Sequence, residues 1–320
     1  MSKYRYALPQ LDGGLFLSDG GMETTLIFHH GVDLPEFASF VLLEDEKGRA
    51  ELKRYYEAYL SIARHRRLGF VLDTATWRAN PDWGRRLGYD ADRLRAANLA
   101  AVDLVAGLRD RWETRDTPVV LNGVIGPRGD GYRAGHLGAA EAQAYHAFQV
   151  EIFAGSSVDM VSAITVNNVN EAIGIARAAA EAGMPCVISF TVETDGRLAD
   201  GASLRAAIET TDQETGGSPV YYMINCAHPT HFREAVAADE PWLHRIRGLR
   251  ANASARSHAE LDELDTLDAG DIDDLSRHYG KLVSSLPAVS VVGGCCGTDH
   301  RHIAAICEAC VPVTTTCTAA

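Results

Sequence analysis

The sequence predicts a single-domain α/β protein with a (β/α)8 (TIM) barrel fold over residues 1–320. Three observations support this prediction. Eight short apolar runs rich in β-branched residues recur along the chain, helix-like stretches separate most of them, and most runs turn polar at their carboxyl ends. Strands that alternate with helices in one domain are typical of a parallel sheet covered by helices.

The eight apolar runs are the predicted strands. They are LFLSDG (15–20), FVLDTAT (70–76), VVLNGVIG (119–126), VDMVSAIT (158–165), PCVISFTV (185–192), YYMINCAH (221–228), IRGLRANAS (246–254) and VSVVGGCCG (289–297). Polar residues near their ends include Asp19, Thr74, Asn122, Asn225 and Asn252. A barrel brings all these ends to one face, where active sites lie. A doubly wound open sheet is the alternative, but its ligands gather at a switch point that fewer strand ends reach, so the barrel is favoured.

Three stretches between the strands have the apolar spacing of amphipathic helices. Residues 51–67 and 90–112 repeat apolar residues every three or four positions, and residues 170–183 end at Gly183, a common helix stop. After the last predicted helix, residues 311–320 are expected to form a frayed tail.

The chain is acidic, which narrows the classes of partner. It has 30 Lys and Arg residues against 43 Asp and Glu residues, a formal net charge of −13. Such a surface repels phosphate backbones and anionic lipids, so neither nucleic acid nor a membrane is expected as a partner. Small-molecule partners are expected instead, and a homo-oligomer is compatible with the sequence.

The amino terminus, MSKYRYALPQLDGG, lacks the basic and apolar segments of a signal peptide, and no apolar run approaches the roughly 18 residues of a membrane span. A cytoplasmic location is therefore expected, with the seven cysteines present as reduced thiols. Their odd number also argues against a complete disulfide framework.

Two adjacent cysteines, Cys295 and Cys296, follow the eighth strand and are flanked by glycines in VVGGCCGTD (291–299). Adjacent cysteines rarely reach the geometry of a disulfide, so the pair could be buried small residues, a strained redox pair or part of a metal site. Cys226 ends the sixth run, and only one strand separates the sixth and eighth strands in a barrel. Three thiolates bind Zn²⁺ well and leave its fourth tetrahedral position open, which is the pattern of a catalytic site.

The charge of such a site indicates a reaction class. Three thiolates and Zn²⁺ sum to −1, so the metal is a weak Lewis acid that is better suited to holding an incoming thiol as a thiolate. Attack of that thiolate on an activated methyl group is the chemistry this site favours.

Five motifs together resemble the homocysteine S-methyltransferase family. They are LSDGGMETTL (17–26), LNGVIGPRGDGY (121–132), ISFTV (188–192), INCAHP (224–229) and VVGGCCGT (291–298). The resemblance extends from about residue 15 to about residue 305, and the two cysteine motifs are its most specific part. The family is similar to the zinc domains of betaine–homocysteine methyltransferase and of cobalamin-dependent methionine synthase.

The resemblance implies a (β/α)8 barrel and methyl transfer from a sulfonium, ammonium or folate donor to a thiol. The implied acceptor is homocysteine, and the implied product is methionine. The implied zinc ligands, which are also the implied catalytic residues, are Cys226, Cys295 and Cys296. By position, Asp19 and Gly20 match the first-strand motif that lies against the thiol substrate. Thr74 matches a threonine at the end of strand two, and Asn225 precedes the first zinc ligand as in the family.

Two departures from the family pattern concern the acceptor. The family carries a Glu-Thr pair after strand four, whose carboxylate holds the amino group of homocysteine; here Ile164 takes the Glu position and Thr165 keeps the threonine. Loss of that charge-assisted hydrogen bond would cost about 1.5–3 kcal/mol. The family's turn after strand seven is here ANASARSHAELDELD (251–265). A different thiol acceptor, a non-catalytic zinc- or thiol-binding barrel and a vicinal-dithiol redox protein stay open as alternatives.

Further residues are candidates for binding the methyl donor or the amino group of the acceptor. Trp77 is expected to bind substrate by holding a methylated cation against its ring, and Trp83 could share that role. Glu23 or Glu193 could replace the carboxylate missing at Ile164. S-methylmethionine, S-adenosylmethionine, a betaine and methyltetrahydrofolate are all compatible donors, and a small soluble donor is favoured because the chain has no attached cobalamin or folate module.

Other cysteines and histidines are expected to be structural. Cys186 is predicted to pack in the core, Cys307 and Cys310 to be half-buried on a helix, and Cys317 to lie in the tail. Histidines just beyond the strand ends are expected to cap helices or contact solvent rather than bind the metal; they are His228, His231, His300 and His302. His29 and His30 could line the pocket mouth. The acidic stretch 259–274 is expected to form a loop and a helix start, and its length suits a lid.

Overall fold

The computed structural model describes residues 1–133, 135 and 137–311, and these residues form a closed barrel of eight parallel strands in chain order. The strands are β1 (Phe16–Leu17), β2 (Gly69–Asp73), β3 (Val119–Ile125), β4 (Met160–Val166), β5 (Cys186–Phe190), β6 (Pro219–Asn225), β7 (Ile246–Ala251) and β8 (Val291–Gly294). Each strand pairs with the next, and β1 pairs with β8 to close the sheet. Closure confirms the predicted single-domain (β/α)8 barrel and excludes the open sheet.

Each predicted run overlaps one observed strand, and the three cysteines lie just beyond the strand ends. In the run 289–297, β8 ends at Gly294, immediately before the cysteine pair. The residues beyond the strand ends bond to neighbouring segments: the carbonyl of Asp19 accepts from N of Gly294 at 2.8 Å, and N of Cys295 donates to O of Ala251 at 2.9 Å. The cysteines therefore lie on short loops that the barrel holds in place.

Helices lie between the strands and cover the outer face of the barrel. In the described ranges they are α1 (Met22–Thr24), α2 (Glu46–Arg66), α3 (Pro81–Arg86), α4 (Ala91–Trp112), α5 (Ala139–Ala154), α6 (Val169–Glu181), α7 (Leu204–Thr215), α8 (Pro229–Phe232), α9 (His258–Asp262), α10 (Ile272–Ser285) and α11 (His300–Cys310). All three predicted helices are present. The helix predicted at 51–67 begins earlier because Asp45 caps it, and Gly183, just beyond α6, has φ 65°.

The apolar core has two parts. A large cluster fills the space between the sheet and the helices, and a smaller one fills the barrel interior. Leu8, from the amino-terminal segment, packs in the interior cluster with Phe16 and Tyr221, near the amino ends of the strands. The amino-terminal segment therefore closes the barrel at that end, and the pocket opens at the other.

Two sequence predictions concern the chain ends and membranes. None of the helices found within residues 1–311 is long and apolar enough to cross a membrane. The predicted frayed tail lies outside the described residues from position 312 onward, and so does Cys317.

Candidate metal centre and active site

Three cysteine sulfurs meet at the carboxyl ends of β6 and β8. Cys226 directly follows β6, Cys295 and Cys296 directly follow β8, and the three sulfurs lie within 4.8 Å of one another. The Sγ atoms of Cys226 and Cys296 are 3.7 Å apart, and all three thiols are free. A tetrahedral site with metal–sulfur bonds of about 2.3 Å has sulfur–sulfur edges of about 3.8 Å. The cluster therefore has the dimensions of a metal site.

The backbone of Cys226 is held in the left-handed conformation, at φ 53°. Its carbonyl oxygen accepts hydrogen bonds from Nε2 of His258 at 2.5 Å, Nδ2 of Asn252 at 3.1 Å and Oγ1 of Thr191 at 3.4 Å. A non-glycine residue keeps a positive φ only where its surroundings over-determine it. These three donors fix the peptide that follows Cys226 and so help aim its thiol at the other two.

Close contacts explain the glycines beside the cysteine pair. A Cβ at Gly293 would lie 1.9 Å from Oγ of Ser18, and one at Gly294 would lie 2.1 Å from Oγ1 of Thr298. Gly297 has φ 79°, which lets the chain turn directly after the cysteines. Side chains at these positions would push the cysteine loop away from β1 and from the third sulfur.

The three thiols change one another's ionisation because they are buried together. Hydrogen bonds from Cys295 and Cys296 lower the pKa of Cys226 well below its usual value, and a bond from Tyr132 acts in the same direction. The bond to Cys226 raises the pKa of Cys295 to about 12 and also raises the pKa of Cys296. In metal-free protein these hydrogen bonds therefore favour ionisation of Cys226 over ionisation of Cys295 and Cys296.

Tyr132, on the loop after β3, covers the sulfur cluster. Its phenol oxygen lies 3.4 Å from Sγ of Cys226 and 3.8 Å from Sγ of Cys296. Its ring stacks on the imidazole of His258, with centroids 4.0 Å apart, and Nδ1 of His258 lies 3.1 Å from Oε1 of Glu193. His258 thus supports both the ring of Tyr132 and the backbone of Cys226.

Asn225, the last residue of β6, connects that strand to β4 beside the cluster. Its Oδ1 accepts from N of Thr165 at 3.0 Å and from Oγ of Ser189 at 2.6 Å, while its Nδ2 donates to Oγ1 of Thr165 at 2.9 Å. Nδ2 is also 3.8 Å from Sγ of Cys295. Asn225 therefore lies against the sulfurs and fixes the segment that carries Cys226.

Arg250, on β7, is buried between two carboxylates. Its guanidinium donates to Asp19, just beyond β1, to Asp73, at the end of β2, and to the carbonyl of Gly294. Burial raises the pKa of Asp19 to about 7, although the positive charge of Arg250 acts in the opposite direction. The neighbouring carboxylate of Asp73 adds to the rise. The carboxylate of Asp19 is therefore engaged by the protein itself.

These groups surround a pocket at the mouth of the barrel, which we call the inner chamber. Four residues predicted to contact substrate line it: Asp19, Gly20, Thr74 and Trp77. The fifth, Asn225, lies behind the wall formed by Thr165 and Cys295. Ile164 lines the chamber, and its carbonyl accepts from Nε1 of Trp77 at 3.0 Å, so the indole ring is fixed.

A second pocket, the outer chamber, adjoins the inner one. The two chambers share Trp77, Tyr132 and Cys296, among other residues. The opposite wall of the outer chamber is formed by α9 and the loop after it, through the side chains of Leu261, Leu264 and Leu267. The expected loop and helix start in the acidic stretch 259–274 are confirmed, and the stretch lies over the pocket with its leucines inward.

Several other predicted residues lie outside both chambers. The ring of Trp83 lies 3.9 Å from the guanidinium of Arg78, which separates it from the outer chamber. Glu193 contacts His258 instead of the pocket, and His29 and His30 lie near Asp299 and Glu51, respectively. These side chains are packed against protein groups.

The remaining histidines and cysteines have structural surroundings. His228 caps α8 and His302 caps α11, while Nε2 of His231 lies 2.9 Å from the carbonyl of Ala255. His300 is the first residue of α11, and the metal-ligand cluster found in the described part of the chain contains cysteines alone. Cys186 is buried as predicted and Cys310 is half-buried, but Cys307 is fully buried because it packs into the main core.

Sequence analysis missed the roles of Tyr132, Arg250 and His258. Arg250 had a detectable signal, because a charged residue in an apolar barrel strand must be paired when it is buried. Tyr132 ends a motif that supports the family resemblance, but its contact with the cysteines depends on how the loop folds. His258 had no local signal, since it reaches Cys226 across 32 positions of chain.

The sequence matches the homocysteine S-methyltransferase family over residues 16–310. The fold is similar to that of the homocysteine methyltransferase MmuM from Escherichia coli. Its metallated form has a TM-score of 0.70 and 22% identity, with 92% of this chain and 96% of that chain covered. The oxidized form has a TM-score of 0.71 and 22% identity, with 95% and 98% covered. These structural likenesses show the shared fold, and the family match, which covers most of the sequence, shows that the chain belongs to the homocysteine S-methyltransferase family, a family of S-methyltransferases.

Proposed function

We propose that this chain is a zinc-dependent methyltransferase that transfers a methyl group from a small sulfonium or ammonium donor, of the S-methylmethionine or S-adenosylmethionine type, to a thiol. Homocysteine is the proposed acceptor, and methionine is then the product. The observation that carries the proposal is the cluster of Cys226, Cys295 and Cys296 at the barrel mouth. Membership of the family supplies the reaction class.

The cluster fits zinc in its donor atoms and its dimensions. Thiolate sulfur is a preferred zinc ligand, and the 3.7 Å between Sγ of Cys226 and Sγ of Cys296 is close to the edge of a tetrahedral site. The proposed ligands are Cys226, Cys295 and Cys296. When bound there, zinc supplies a position that holds an acceptor thiol as a thiolate near neutral pH while leaving it nucleophilic.

The chain's own residues orient the reacting groups. Asn225 and His258 fix the segment that carries Cys226, and Tyr132 covers the sulfurs, which limits the access of water. The acceptor sulfur then forms a bond to the methyl carbon while the bond from that carbon to the donor heteroatom breaks. The electron pair of the broken bond stays on the donor, and the thiol proton leaves to solvent. Positioning of this kind supplies much of the rate enhancement in group transfer.

The outer chamber suits the donor. All three cysteines line the inner chamber and only Cys296 of the three lines the outer one, so we place the acceptor thiol in the inner chamber and the methyl donor in the outer chamber. A methylated cation is attracted to the faces of aromatic rings, which Trp77 and Tyr132 supply. The carboxylate of Asp262 also lines this chamber, while that of Asp268 is paired with Arg256.

The test combines metal content with activity. Purified protein should hold about one zinc ion per chain and should methylate homocysteine when supplied with S-methylmethionine or S-adenosylmethionine. Cys226→Ser should lose zinc and turnover, whereas the matched control Cys186→Ser, at a buried cysteine outside the cluster, should keep both. Zinc-free protein, together with methyl transfer that survives Cys226→Ser, would contradict the proposal.

Ile164 favours a second candidate function, the same chemistry on a different thiol. Its apolar side chain lines the inner chamber at the position where the family pattern has the carboxylate for the acceptor's amino group. Turnover of simple thiols in preference to homocysteine would support this candidate. The cytoplasmic location, the absence of nucleic acid partners and a homo-oligomer stay predictions from the sequence.

A further inference from the structure

The carboxylates of the inner chamber differ in whether the protein already neutralises them. Asp19 and Asp73 both form ion pairs with Arg250. Glu23, on α1, lines the same chamber, and among the described residues it forms no ion pair. Its Oε1 accepts from Oγ of Ser39 at 2.8 Å, which fixes the orientation of the carboxylate. Glu23 is therefore an oriented acceptor for a cation in the pocket.

A guanidinium without a carboxylate partner lies nearby, on the wall of the outer chamber. Arg78 forms no ion pair within the described ranges, and its Nε is buried without a hydrogen-bond partner there. Stacking on Trp83 at 3.9 Å and a hydrogen bond to the carbonyl of Glu36 hold the group in place. Burial lowers the pKa of Arg78, and Glu23 is the strongest of the neighbouring charges that oppose this shift. Arg78 therefore offers donors to an anion close to Glu23.

We propose that Glu23 and Arg78 bind the amino-acid end of the acceptor, with Glu23 holding the α-ammonium and Arg78 holding the α-carboxylate. This inference rests on the proposed function. Phe37 and Trp77 line both chambers, so Glu23 and Arg78 lie on the two sides of the same pair of rings, and a zwitterion placed at that boundary would contact both. Glu23 shares the inner chamber with Cys295, and a short thiol side chain then extends from the zwitterion toward the sulfurs.

The same assignment explains how an amino-acid thiol can bind beside Ile164. An ammonium beside Ile164 alone would lose a charge-assisted hydrogen bond, but Glu23 supplies one from α1. Asp19 is less suited to this role because Arg250 and Tyr55 already occupy its oxygens. In this assignment the contact to the ammonium comes from Glu23, in the segment after β1, and the contact to the carboxylate comes from Arg78, after β2.

The experiment measures binding without a donor. Co²⁺-loaded protein is titrated with three thiols, and the thiolate-to-cobalt charge-transfer band reports each dissociation constant. The thiols are homocysteine, 4-mercaptobutanoate, which lacks the ammonium, and 3-mercaptopropylamine, which lacks the carboxylate. Wild-type protein should bind homocysteine about tenfold or more tightly than either analogue, as expected for loss of one charge-assisted hydrogen bond.

The variants assign each preference to one residue. Glu23→Gln should abolish the preference over 4-mercaptobutanoate and keep the preference over 3-mercaptopropylamine, and Arg78→Gln should do the reverse. Matched controls are Glu193→Gln, at a carboxylate outside the inner chamber, and Arg86→Gln, at a guanidinium that also stacks on Trp83. Both controls should keep both preferences. If Arg78→Gln fails to fold, Arg78→Met can replace it. Methionine keeps a long side chain over the indole of Trp83 but, like glutamine, removes the guanidinium that is proposed to bind the α-carboxylate.

Two results would overturn the inference: equal binding of the three thiols to wild-type protein, or preferences that survive both substitutions. A cobalt-loaded protein that binds none of the thiols would instead contradict the proposed function itself, so the two failures are distinguishable.

Discussion

Asn225 and Thr165 form two hydrogen bonds with each other at the barrel mouth, from N of Thr165 to Oδ1 at 3.0 Å and from Nδ2 to Oγ1 at 2.9 Å. Thr165 has φ 66°, and Cys226, which follows Asn225, has φ 53°. Two unfavourable backbone conformations are thus joined by one side chain. Because Cys226 carries one of the three clustered sulfurs, this pair of residues links the stability of the fold to the geometry of the cluster.

Asn225→Ala should lower both the stability of the fold and the affinity of the proposed site for zinc, and the loss of zinc affinity should exceed that of a variant with a similar loss of stability. The substitution leaves buried groups of Thr165 and Ser189 unpaired, so the free energy of unfolding should fall by about 1–3 kcal/mol. Zinc affinity should fall by about 10–100-fold, as is typical when a supporting residue of a metal site is lost. Competition with a chromophoric chelator measures the affinity, and urea unfolding measures the stability.

The matched control for this prediction is Asn98→Ala. Asn98 is also buried, and its Nδ2 donates to the carbonyls of Ala79 and Leu94 at 2.9 Å, away from the cysteines. It should lose stability with little change in zinc affinity. Equal zinc affinities for wild type and Asn225→Ala would contradict the prediction.

Arg250→Met should be strongly destabilising. The change leaves the carboxylates of Asp19 and Asp73 buried without their cation, and breaking a buried ion pair from one side costs about 3–5 kcal/mol. Adding Asp73→Asn should recover part of the loss. Arg245→Met, which removes a half-exposed guanidinium paired with Asp212, should cost about 1 kcal/mol. Urea unfolding compares the variants, and similar losses from both arginines would argue against the burial effect.

Because of Asp19, the free energy of unfolding should fall as the pH rises. Most acidic residues have the opposite effect, because their pKa is lowered by folding. Its pKa is about 7 in the folded protein and about 3.9 in an unfolded chain, so folding favours the protonated carboxyl. That contribution is fully present below about pH 4 and is lost as the pH rises through about 7.

The Asp19→Asn variant isolates this effect, because asparagine cannot ionise. The free energy of unfolding of wild type, minus that of the variant, should fall as the pH rises from about 4 to 7, by at most about 1.4 kcal/mol per pH unit. Urea unfolding at several pH values measures the difference. A difference that stays constant or increases over this range would show that Asp19 is ionised in the fold.

The sequence was sufficient to predict the barrel because its signals are local and repeated. The strand runs are apolar and most of them end in polar residues, and the three predicted helices have the apolar spacing of amphipathic helices, so both could be predicted without knowing the rest of the chain. The sulfur cluster could also be predicted, since the strand order of a barrel places the residues after β6 and β8 near each other. Cys226 and the pair Cys295 and Cys296 needed no further information.

Contacts between distant loops could not be predicted in this way. Stacking of Tyr132 on His258 depends on the paths of two loops that no strand order determines. The use of Arg250 by both Asp19 and Asp73 depends on which side chains of β1, β2 and β7 point to the axis at the same level. Contacts of this kind depend on how the whole chain packs. In the sequence alone, the only sign of them is a charged residue, Arg250, inside an apolar strand.

Tyr132→Phe should raise the pKa of Cys226 in metal-free protein. The phenol is one of the donors that stabilise the Cys226 thiolate, after the two other cysteines. A single neutral hydrogen bond contributes about 1 kcal/mol, which corresponds to a shift of about 0.7 pH units. The rate of alkylation of Cys226 against pH, followed by peptide mass mapping, gives the midpoint. Tyr145→Phe, which removes a hydroxyl bonded to Asn80, should leave that midpoint unchanged.

Trp77→Leu should raise the KM for a cationic methyl donor. The indole is fixed by its hydrogen bond to the carbonyl of Ile164 and lies on the wall between the two chambers. Loss of a cation–π contact of about 0.5–2 kcal/mol corresponds to an increase of roughly 2–30-fold in the KM. Trp77→Phe keeps a ring and should show a smaller increase, while Trp112→Leu, on α4, should show none. Steady-state kinetics with the donor varied at saturating thiol measures the effect, and an unchanged donor KM in Trp77→Leu would exclude this ring from donor binding.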